Sequence, residues 1–142
     1  MEKKPFVTLA QAEEIAKTYP TPFYLYDEKG IRENVKRLKQ AFSWNKGYKE
    51  YFAVKATPNP FILKILQEYG CGTDCSSLTE LMMSKACGFS GSNVMFSSND
   101  TPPEEFAYAN EMGAIINLDD ITHIECVEKV LGYIPKTISC RY

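Results

Sequence analysis

A repeated alternation of apolar and amphipathic segments runs from residue 51 to the end of the chain. Short apolar runs occur at "YFAVKA", "GTDCSS", "NVMFSS", "AIINLD" and "TISCRY", with starts about 21 residues apart. A segment with helical periodicity fills each gap between them. Strands that alternate with helices at this short period predict right-handed βαβ units and a parallel sheet.

Two further helices and a short strand are predicted before this repeat. Thr8 is a candidate N-cap for the first helix, and the second runs from about Glu28 to Phe42. The aromatic stretch "FYLYD" between the helices predicts a short strand, because aromatic residues favour strands. The apolar stripe of the second helix recurs at helical spacing and comprises Ile31, Val35, Leu38 and Phe42.

Several residues mark where the helices of the repeat begin and end. The sequences "SLTE", from Ser77 to Glu80, and "TPPE", from Thr101 to Glu104, both match capping boxes at helix starts. Glycine after the last apolar position of a helix is typical of a helix end. The glycines that fit this pattern are Gly70, Gly88, Gly113 and Gly132.

Polar or ionisable side chains fall at or near the carboxyl end of every predicted strand. In parallel α/β folds that edge of the sheet is where ligands bind and catalysis occurs. The pattern has moderate specificity, since loops from strand to helix are polar in any case and several of these residues can act as caps. In chain order the residues are Lys55, Asp74, Ser76, Ser77, Ser97, Ser98, Asn99, Asn117, Asp119, Ser139 and Arg141.

Lys55 ends the apolar run in "YFAVKATPNP", where two prolines and an asparagine stop the strand. A lysine that is partly desolvated at such a position favours the neutral amine, which is nucleophilic and forms a Schiff base with an aldehyde. From position alone, a lysine that extends its amine into solvent is the commoner case.

Composition and charge narrow the classes of protein. The 142 residues suffice for one modest domain, and 44% hydrophobic with 24% charged residues is typical of a soluble globular protein. The net charge of −2, with no basic block, disfavours nucleic-acid binding. No apolar run approaches the roughly 18 residues of a membrane span, and the N-terminus lacks the apolar segment of a secretory signal.

The cysteines and the single histidine do not predict a metal site. Five cysteines without CxxC spacing indicate free thiols, buried or partly buried, in a reducing cytoplasm. His123, far from the cysteine pair of "CGTDC", is predicted to lie on the surface of its helix. The cysteines are Cys71, Cys75, Cys87, Cys126 and Cys140.

Three stretches in order, "TPFYLYD", "YFAVKATPNP" and "GCGTDCSSLTEL", resemble the pyridoxal-phosphate-dependent decarboxylases of the alanine-racemase fold. The diaminopimelate decarboxylase group is the most similar, with ornithine, arginine and carboxynorspermidine decarboxylases as relatives. The resemblance extends from about Thr21 to Tyr142. It implies an incomplete (β/α)8 TIM-type barrel of about five parallel strands, preceded by an N-terminal helix and short strand.

The resemblance also implies two parts of the chain. Residues 1–27 form a helix and strand that would pair with a C-terminal β domain absent from this sequence. Residues 28–142 form the N-terminal part of the barrel that binds pyridoxal 5'-phosphate. A complete barrel takes about 250 residues, so the chain is expected to be a fragment of a larger enzyme. The 142 residues alone are expected to be inactive, because the phosphate-binding loop and the remaining strands would lie further on.

Four residues match positions that the family uses at its cofactor. The resemblance implies that Lys55 binds the cofactor covalently and that Asp74 lies near this lysine and the cofactor ring. Glu80 matches a recurrent family acid, although its place in the capping box is an equally good explanation. Arg141 matches an arginine near the cofactor, and an ordinary surface arginine is the alternative.

The implied activity is that of a carboxy-lyase in amino-acid biosynthesis. Its substrate would be a basic or diamino acid, with conversion of diaminopimelate to lysine expected first and ornithine, arginine or carboxynorspermidine as alternatives. A racemase or pyridoxal-phosphate carrier of the same fold, or a non-catalytic α/β interaction module, stays open. The resemblance implies a cytoplasmic homodimer at full length, with a small amino-acid substrate and neither nucleic acid nor membrane as partner.

Overall fold

The computed structural model describes residues 4–141, and these contain six α-helices and five β-strands. The helices are α1 (Leu9–Thr18), α2 (Glu28–Ala41), α3 (Pro60–Glu68), α4 (Leu78–Ala86), α5 (Pro103–Glu111) and α6 (Thr122–Leu131). The strands are β1 (Tyr51–Ala53), β2 (Gly72–Cys75), β3 (Val94–Phe96), β4 (Ile115–Leu118) and β5 (Ile138–Cys140). Single 3-10 turns occur at Val54–Ala56 and Gly91–Asn93.

The five strands form one parallel sheet in the order β1-β2-β3-β4-β5. Each strand therefore lies beside its predecessor, and a helix joins each pair from β1 to β5. This arrangement confirms the parallel α/β prediction. Within residues 4–141 the sheet does not close, since β1 and β5 each have one strand neighbour, as in an incomplete barrel.

The register of the strands gives the sheet two different faces. Side chains alternate along a strand, so residues paired across strands share a face. We call one the helix-covered face; it comprises Thr73, Cys75, Val94, Phe96, Ile116 and Leu118. We call the other the site face; it comprises Ala53, Asp74, Met95, Ser97, Ile115 and Asn117.

The main hydrophobic core lies between the helix-covered face and helices α3 to α6. Each of these helices contributes a wholly buried large side chain, in order Leu63, Leu81, Phe106 and Val127. Burial of one such side chain stabilises the fold by about 1.5–3 kcal/mol. A smaller cluster joins α2 to α3 through Val35, Ile62, Leu66 and Cys71.

The ends of the helices follow the sequence closely. The second helix begins at Glu28, as predicted, and Thr8 caps α1 with Gln11 in a reciprocal capping box. The helices of the repeat are followed by glycines in the left-handed conformation, with φ of 75° at Gly70 and 78° at Gly132. Such φ values are unfavourable for other residues, so glycine fits these helix ends.

Two local predictions are wrong. The stretch "FYLYD" is not a strand, because no segment of residues 4–141 pairs with it. The "TPPE" capping box does not form, since α5 begins at Pro103 and its N-cap is Pro102. Thr101 lies one residue before this N-cap position, and its buried hydroxyl has no hydrogen-bond partner within residues 4–141.

Candidate active site

Lys55 lies at the carboxyl end of β1 but outside the strand itself. The strand ends at Ala53, and the chain leaves the sheet in the 3-10 turn Val54–Ala56. The wholly buried Val54 anchors this turn in the core, while Lys55 lies on its exposed side. The expected partial burial of the lysine is therefore not found within residues 4–141. Its exposure leaves the amine accessible to a ligand.

Asp74 lies on the neighbouring strand, close to Lys55 in register. It pairs with Ala53, two residues before the lysine. Its carboxylate is on the site face, since Thr73 and Cys75 are wholly buried on the opposite one. The hydroxyl of Ser97, which follows β3, donates a hydrogen bond to Asp74 Oδ1. The carboxylate is thus half-buried and held across two strand ends.

Glu80 occupies the first turn of α4, in the loop that follows β2. Its Oε2 accepts the Ser76 N–H at 2.9 Å, and its Oε1 accepts the Ser77 hydroxyl at 3.4 Å. The Ser77 Oγ in turn accepts the Glu80 N–H at 3.4 Å. The "SLTE" capping box thus forms only in part: Ser77 caps α4 as predicted, but the Glu80 carboxylate accepts the N–H of Ser76 and not that of the N-cap Ser77. Both carboxylate oxygens hold the loop that leads away from Asp74.

A second polar group lies at the carboxyl ends of β4 and β5. Asp119 Oδ1 forms an ion pair with Arg141 Nε at 2.9 Å and accepts a hydrogen bond from Asn117 Nδ2 at 3.4 Å. The Arg141 N–H continues the β4–β5 ladder by donating to Leu118 O at 3.1 Å. The sequence named Asn117 and Asp119 only as strand-end groups, and Arg141 also as a match to a family arginine near the cofactor. Their pairing depends on the register of β4 against β5. Aligning the two predicted strands end to end would have placed Asp119 beside Arg141.

His123 is not on the helix surface, as the sequence predicted, but is buried in the first turn of α6. Its ring packs edge-on against Phe106, with centroids 5.4 Å apart and planes at 75°. His123 Nδ1 accepts the N–H of Asp119 at 3.3 Å. The prediction failed because this side of α6 packs against Phe106 of the neighbouring helix α5. The imidazole thereby fixes the backbone from which the Asp119 carboxylate projects.

The cysteines are free thiols, as predicted, and all are buried or half-buried except Cys140, which is exposed at the end of the edge strand β5, against the prediction. Burial raises the pKa of the Cys75 thiol to about 11. Cys75 belongs to the helix-covered face, so this unreactive thiol is separated from the polar strand ends. Residues 4–141 contain no group of three His, Cys, Asp or Glu side chains that could hold a metal. Among the described helices, none is long and apolar enough to cross a membrane.

The carboxyl edge therefore combines an accessible primary amine with two anchored carboxylates and a guanidinium. An amine of this kind can bind an aldehyde covalently, and a nearby carboxylate stabilises the protonated imine that results. A guanidinium binds oxyanions through its fork of N–H donors. Lys55 and Asp74 thus suit a cofactor that has an aldehyde, while Arg141, which follows β5 at the other edge of the sheet, suits an anionic group.

The open parallel sheet and this edge define the class of protein as a pyridoxal-binding barrel domain. The chain belongs to the family described as "Pyridoxal-dependent decarboxylase, pyridoxal binding domain", whose model matches residues 28–140. Members of this family are pyridoxal-phosphate-dependent carboxy-lyases, as the resemblance in sequence implied.

Individual relatives sharpen the comparison. The chain is 42% identical to Protein TabA of Pseudomonas amygdali pv. tabaci over 81% of its length, and covers 27% of that protein. It is 36% identical to diaminopimelate decarboxylase of Methanothermobacter thermautotrophicus over 78% of its length, and covers 26% of it. The chain thus spans about a quarter of the length of these curated relatives.

Solved structures agree with the fold. The crystal structure of diaminopimelate decarboxylase from Helicobacter pylori complexed with L-lysine matches with a TM-score of 0.81 at 30% identity. That match covers 92% of this chain and 34% of the solved chain. Lysine decarboxylase from Selenomonas ruminantium matches with a TM-score of 0.84, and its 23% identity supports the fold alone.

Proposed function

We propose that this chain supplies the covalent cofactor lysine of a pyridoxal-phosphate-dependent amino-acid decarboxylase. The observation that carries the proposal is the exposed amine of Lys55 at the carboxyl edge, beside the Asp74 strand. A lysine there is accessible to a cofactor aldehyde. The family to which residues 28–140 belong supports pyridoxal phosphate as that cofactor.

Each site residue has a proposed task of its own. When bound, pyridoxal phosphate supplies an aldehyde for an amine and a ring that accepts the electron pair left by departing carbon dioxide. Lys55 holds the cofactor, and Asp74 favours the protonated form of the nitrogen at that link through its charge. Arg141 binds an anionic group. Glu80 holds the loop after β2, and a direct role toward the cofactor is proposed for it as well.

Diaminopimelate is the proposed substrate, with lysine as product. The Methanothermobacter and Helicobacter relatives named diaminopimelate decarboxylase support this choice at 36% and 30% identity. A different amino-acid substrate is the second candidate. It is favoured by the 31% identity to L-glutamyl-[BtrI acyl-carrier protein] decarboxylase of Niallia circulans.

The assembly of the protein is part of the proposal. We propose a cytoplasmic homodimer in which residues 1–27 contact a further β domain. Support for the contact comes from the aromatic segment before α2, where Phe23, Tyr24 and Tyr26 are all exposed. A run of exposed aromatic side chains is typical of a surface that another element covers.

The test of the central proposal is covalent capture of the cofactor. The protein is incubated with pyridoxal phosphate, reduced with borohydride and mapped by peptide mass spectrometry. The label is expected on Lys55, and both Lys55→Ala and Lys55→Arg should abolish it, because a guanidinium is not a usable amine nucleophile. Lys64→Ala is the matched control, since Lys64 is an equally exposed lysine on α3.

The outcome that contradicts the proposal is equally specific. If the label lies on other lysines while Lys55 stays free, Lys55 is an incidental surface residue and the cofactor proposal fails. The choice of substrate is tested separately by carbon dioxide release from diaminopimelate, ornithine, arginine and lysine with the complete gene product that contains this chain. Release from diaminopimelate alone supports the first candidate.

A further inference from the structure

We propose that Asp119 is a positioning residue that orients Arg141 toward an oxyanion of the bound cofactor or substrate. The inference deepens the proposed function and rests on it. It assigns a task to a carboxylate that sequence reasoning treated only as one of several polar groups at the strand ends. The oxyanion is a phosphate or a carboxylate, which share the chemistry that a guanidinium recognises.

The geometry begins with strand register. Leu118 pairs with Cys140 at the ends of β4 and β5, so the next residues, Asp119 and Arg141, leave the sheet side by side. The Arg141 N–H donates to Leu118 O at 3.1 Å, which extends the ladder to this point. Asp119 Oδ1 then lies 2.9 Å from the side-chain Nε of Arg141 and forms an ion pair with it.

The two partners differ in how firmly they are held. The Asp119 side chain is 14% exposed and that of Arg141 is 58% exposed. Asn117 Nδ2 donates to the same carboxylate oxygen, and the buried His123 accepts the backbone N–H of Asp119. Asp119 is thus anchored through both its backbone and its side chain. The exposed arginine takes its orientation from the carboxylate, and not the reverse.

The nitrogen of Arg141 that pairs with Asp119 determines which N–H groups of the guanidinium can still bind an anion. A guanidinium presents five N–H donors in a planar fork, and the ion pair with Asp119 lies at its Nε. No other residue in 4–141 forms an ion pair with Arg141. The terminal nitrogens Nη1 and Nη2 therefore stay available for a bidentate oxyanion. A pair this exposed adds little to stability, which leaves orientation as its main effect.

Asp120 provides a matched control one residue away. Its Oδ1 accepts the N–H and the hydroxyl of Thr122 at the start of α6, and the Thr122 hydroxyl is the main cause that lowers the pKa of this carboxyl. Within residues 4–141 it forms neither an ion pair nor a hydrogen bond with Arg141. Asp119→Asn and Asp120→Asn hence make the same change in charge at adjacent positions, and only the first removes the ion pair with Arg141.

The test compares anion affinity in Asp119→Asn, Asp120→Asn, Arg141→Gln and the double variant Asp119→Asn/Arg141→Gln. Inorganic phosphate, pyridoxal phosphate, pyridoxal and L-lysine are the ligands, and pyridoxal lacks the phosphate. Asp119→Asn is expected to weaken binding of the responsible anion about 5- to 10-fold, while Asp120→Asn stays within about 2-fold. Adding Asp119→Asn to Arg141→Gln should give no further loss of anion affinity, because Asp119 acts on the anion only through Arg141.

A readout that needs no cofactor separates this inference from the proposed function. The NMR signal of the Arg141 Nε–H should broaden or shift in Asp119→Asn and return in part in Asp119→Glu, with an unchanged circular dichroism spectrum. If the signal does not respond, or if the losses of the two single variants add up, Asp119 does not position Arg141. If it responds while Lys55 is not labelled by pyridoxal phosphate, the positioning stands and the cofactor assignment fails.

Discussion

The two faces of the sheet are formed by the same strands but have different functions. On the helix-covered face, Val94, Phe96 and Ile116 are wholly buried and apolar. On the site face, the residues next to them along the chain include Met95, Ser97 and Asn117. Since side chains alternate, every strand contributes to the core with one set of positions and to the edge chemistry with the other.

Position along the strand adds a second division. Within the site face, Met95 and Ile115 lie in the middle of the sheet and are apolar. The polar residues lie toward the carboxyl ends, where Asp74 contacts Ser97 and Asp119 contacts Arg141. The site face thus changes from apolar packing residues to polar site residues within a few positions along each strand. Stability and chemistry are separable by single substitutions on one strand.

The largest effect is expected for Phe96→Ala on the helix-covered face. Phe96 is wholly buried and packs edge-on against Phe106, with ring centroids 6.0 Å apart. Its truncation leaves a cavity and should lower the free energy of unfolding by about 3–5 kcal/mol. Met95→Ala, one residue earlier on the half-buried site face, should cost less than half as much. Urea denaturation measures both, and equal losses would show that the two faces are packed alike.

The sequence predicted those features of the fold that depend on local patterns, namely the strands, the helices and the helix ends. Periodicity located all five strands and the helices between them, and glycines such as Gly70 and Gly132 marked helix ends. The same pattern extended β1 to Lys55, but the strand ends at Ala53 because the chain turns into a 3-10 segment around the buried Val54.

Residues whose roles depend on neighbours distant in sequence escaped prediction. The burial of His123 requires knowledge of which side of α6 faces Phe106. The contacts of Asp74 with Ser97 and of Asp119 with Arg141 span 23 and 22 residues, and follow from register alone. The "FYLYD" stretch has strand propensity but no partner in residues 4–141, and a strand needs the hydrogen bonds of a neighbour.

A smaller effect, confined to the chemistry, is expected for Asp74→Asn on the site face. Loss of the carboxylate charge should lower by about one pH unit the midpoint at which the visible absorption of bound pyridoxal phosphate changes. Unfolding in urea should change by less than about 1 kcal/mol, because the side chain is only half-buried. Ser97→Ala should shift the midpoint in part, since it removes the hydroxyl that holds the carboxylate.

The control for this prediction is Asp100→Asn, which removes the same charge from an exposed loop position after β3. It should leave the absorption midpoint unchanged. If Asp74→Asn also leaves the midpoint in place while decarboxylation persists within a few fold, Asp74 is a structural residue. The site face would then lack the electrostatic role that distinguishes it from the helix-covered face.

The smallest effect concerns Glu80, where capping and cofactor binding make different predictions. Glu80→Ala removes the acceptors for the Ser76 N–H and the Ser77 hydroxyl, and should lower the free energy of unfolding by about 0.5–1 kcal/mol. Glu80→Gln keeps an oxygen acceptor and should retain most of that stability, so it isolates the charge. Glu104→Ala, in the first turn of α5, is the control without a cap hydrogen bond.

The two variants of Glu80 separate its roles because stability and absorption respond to different properties. If Glu80→Gln is as stable as the parent and binds pyridoxal phosphate with the same absorption and affinity, capping accounts for the residue. If stability is kept but affinity falls, the carboxylate charge acts on the cofactor as well. Equal losses of stability in both variants would contradict the capping geometry, since glutamine can accept the Ser76 N–H. In that case the loop after β2 would depend on charge, through attraction between the carboxylate and the N-terminal end of α4.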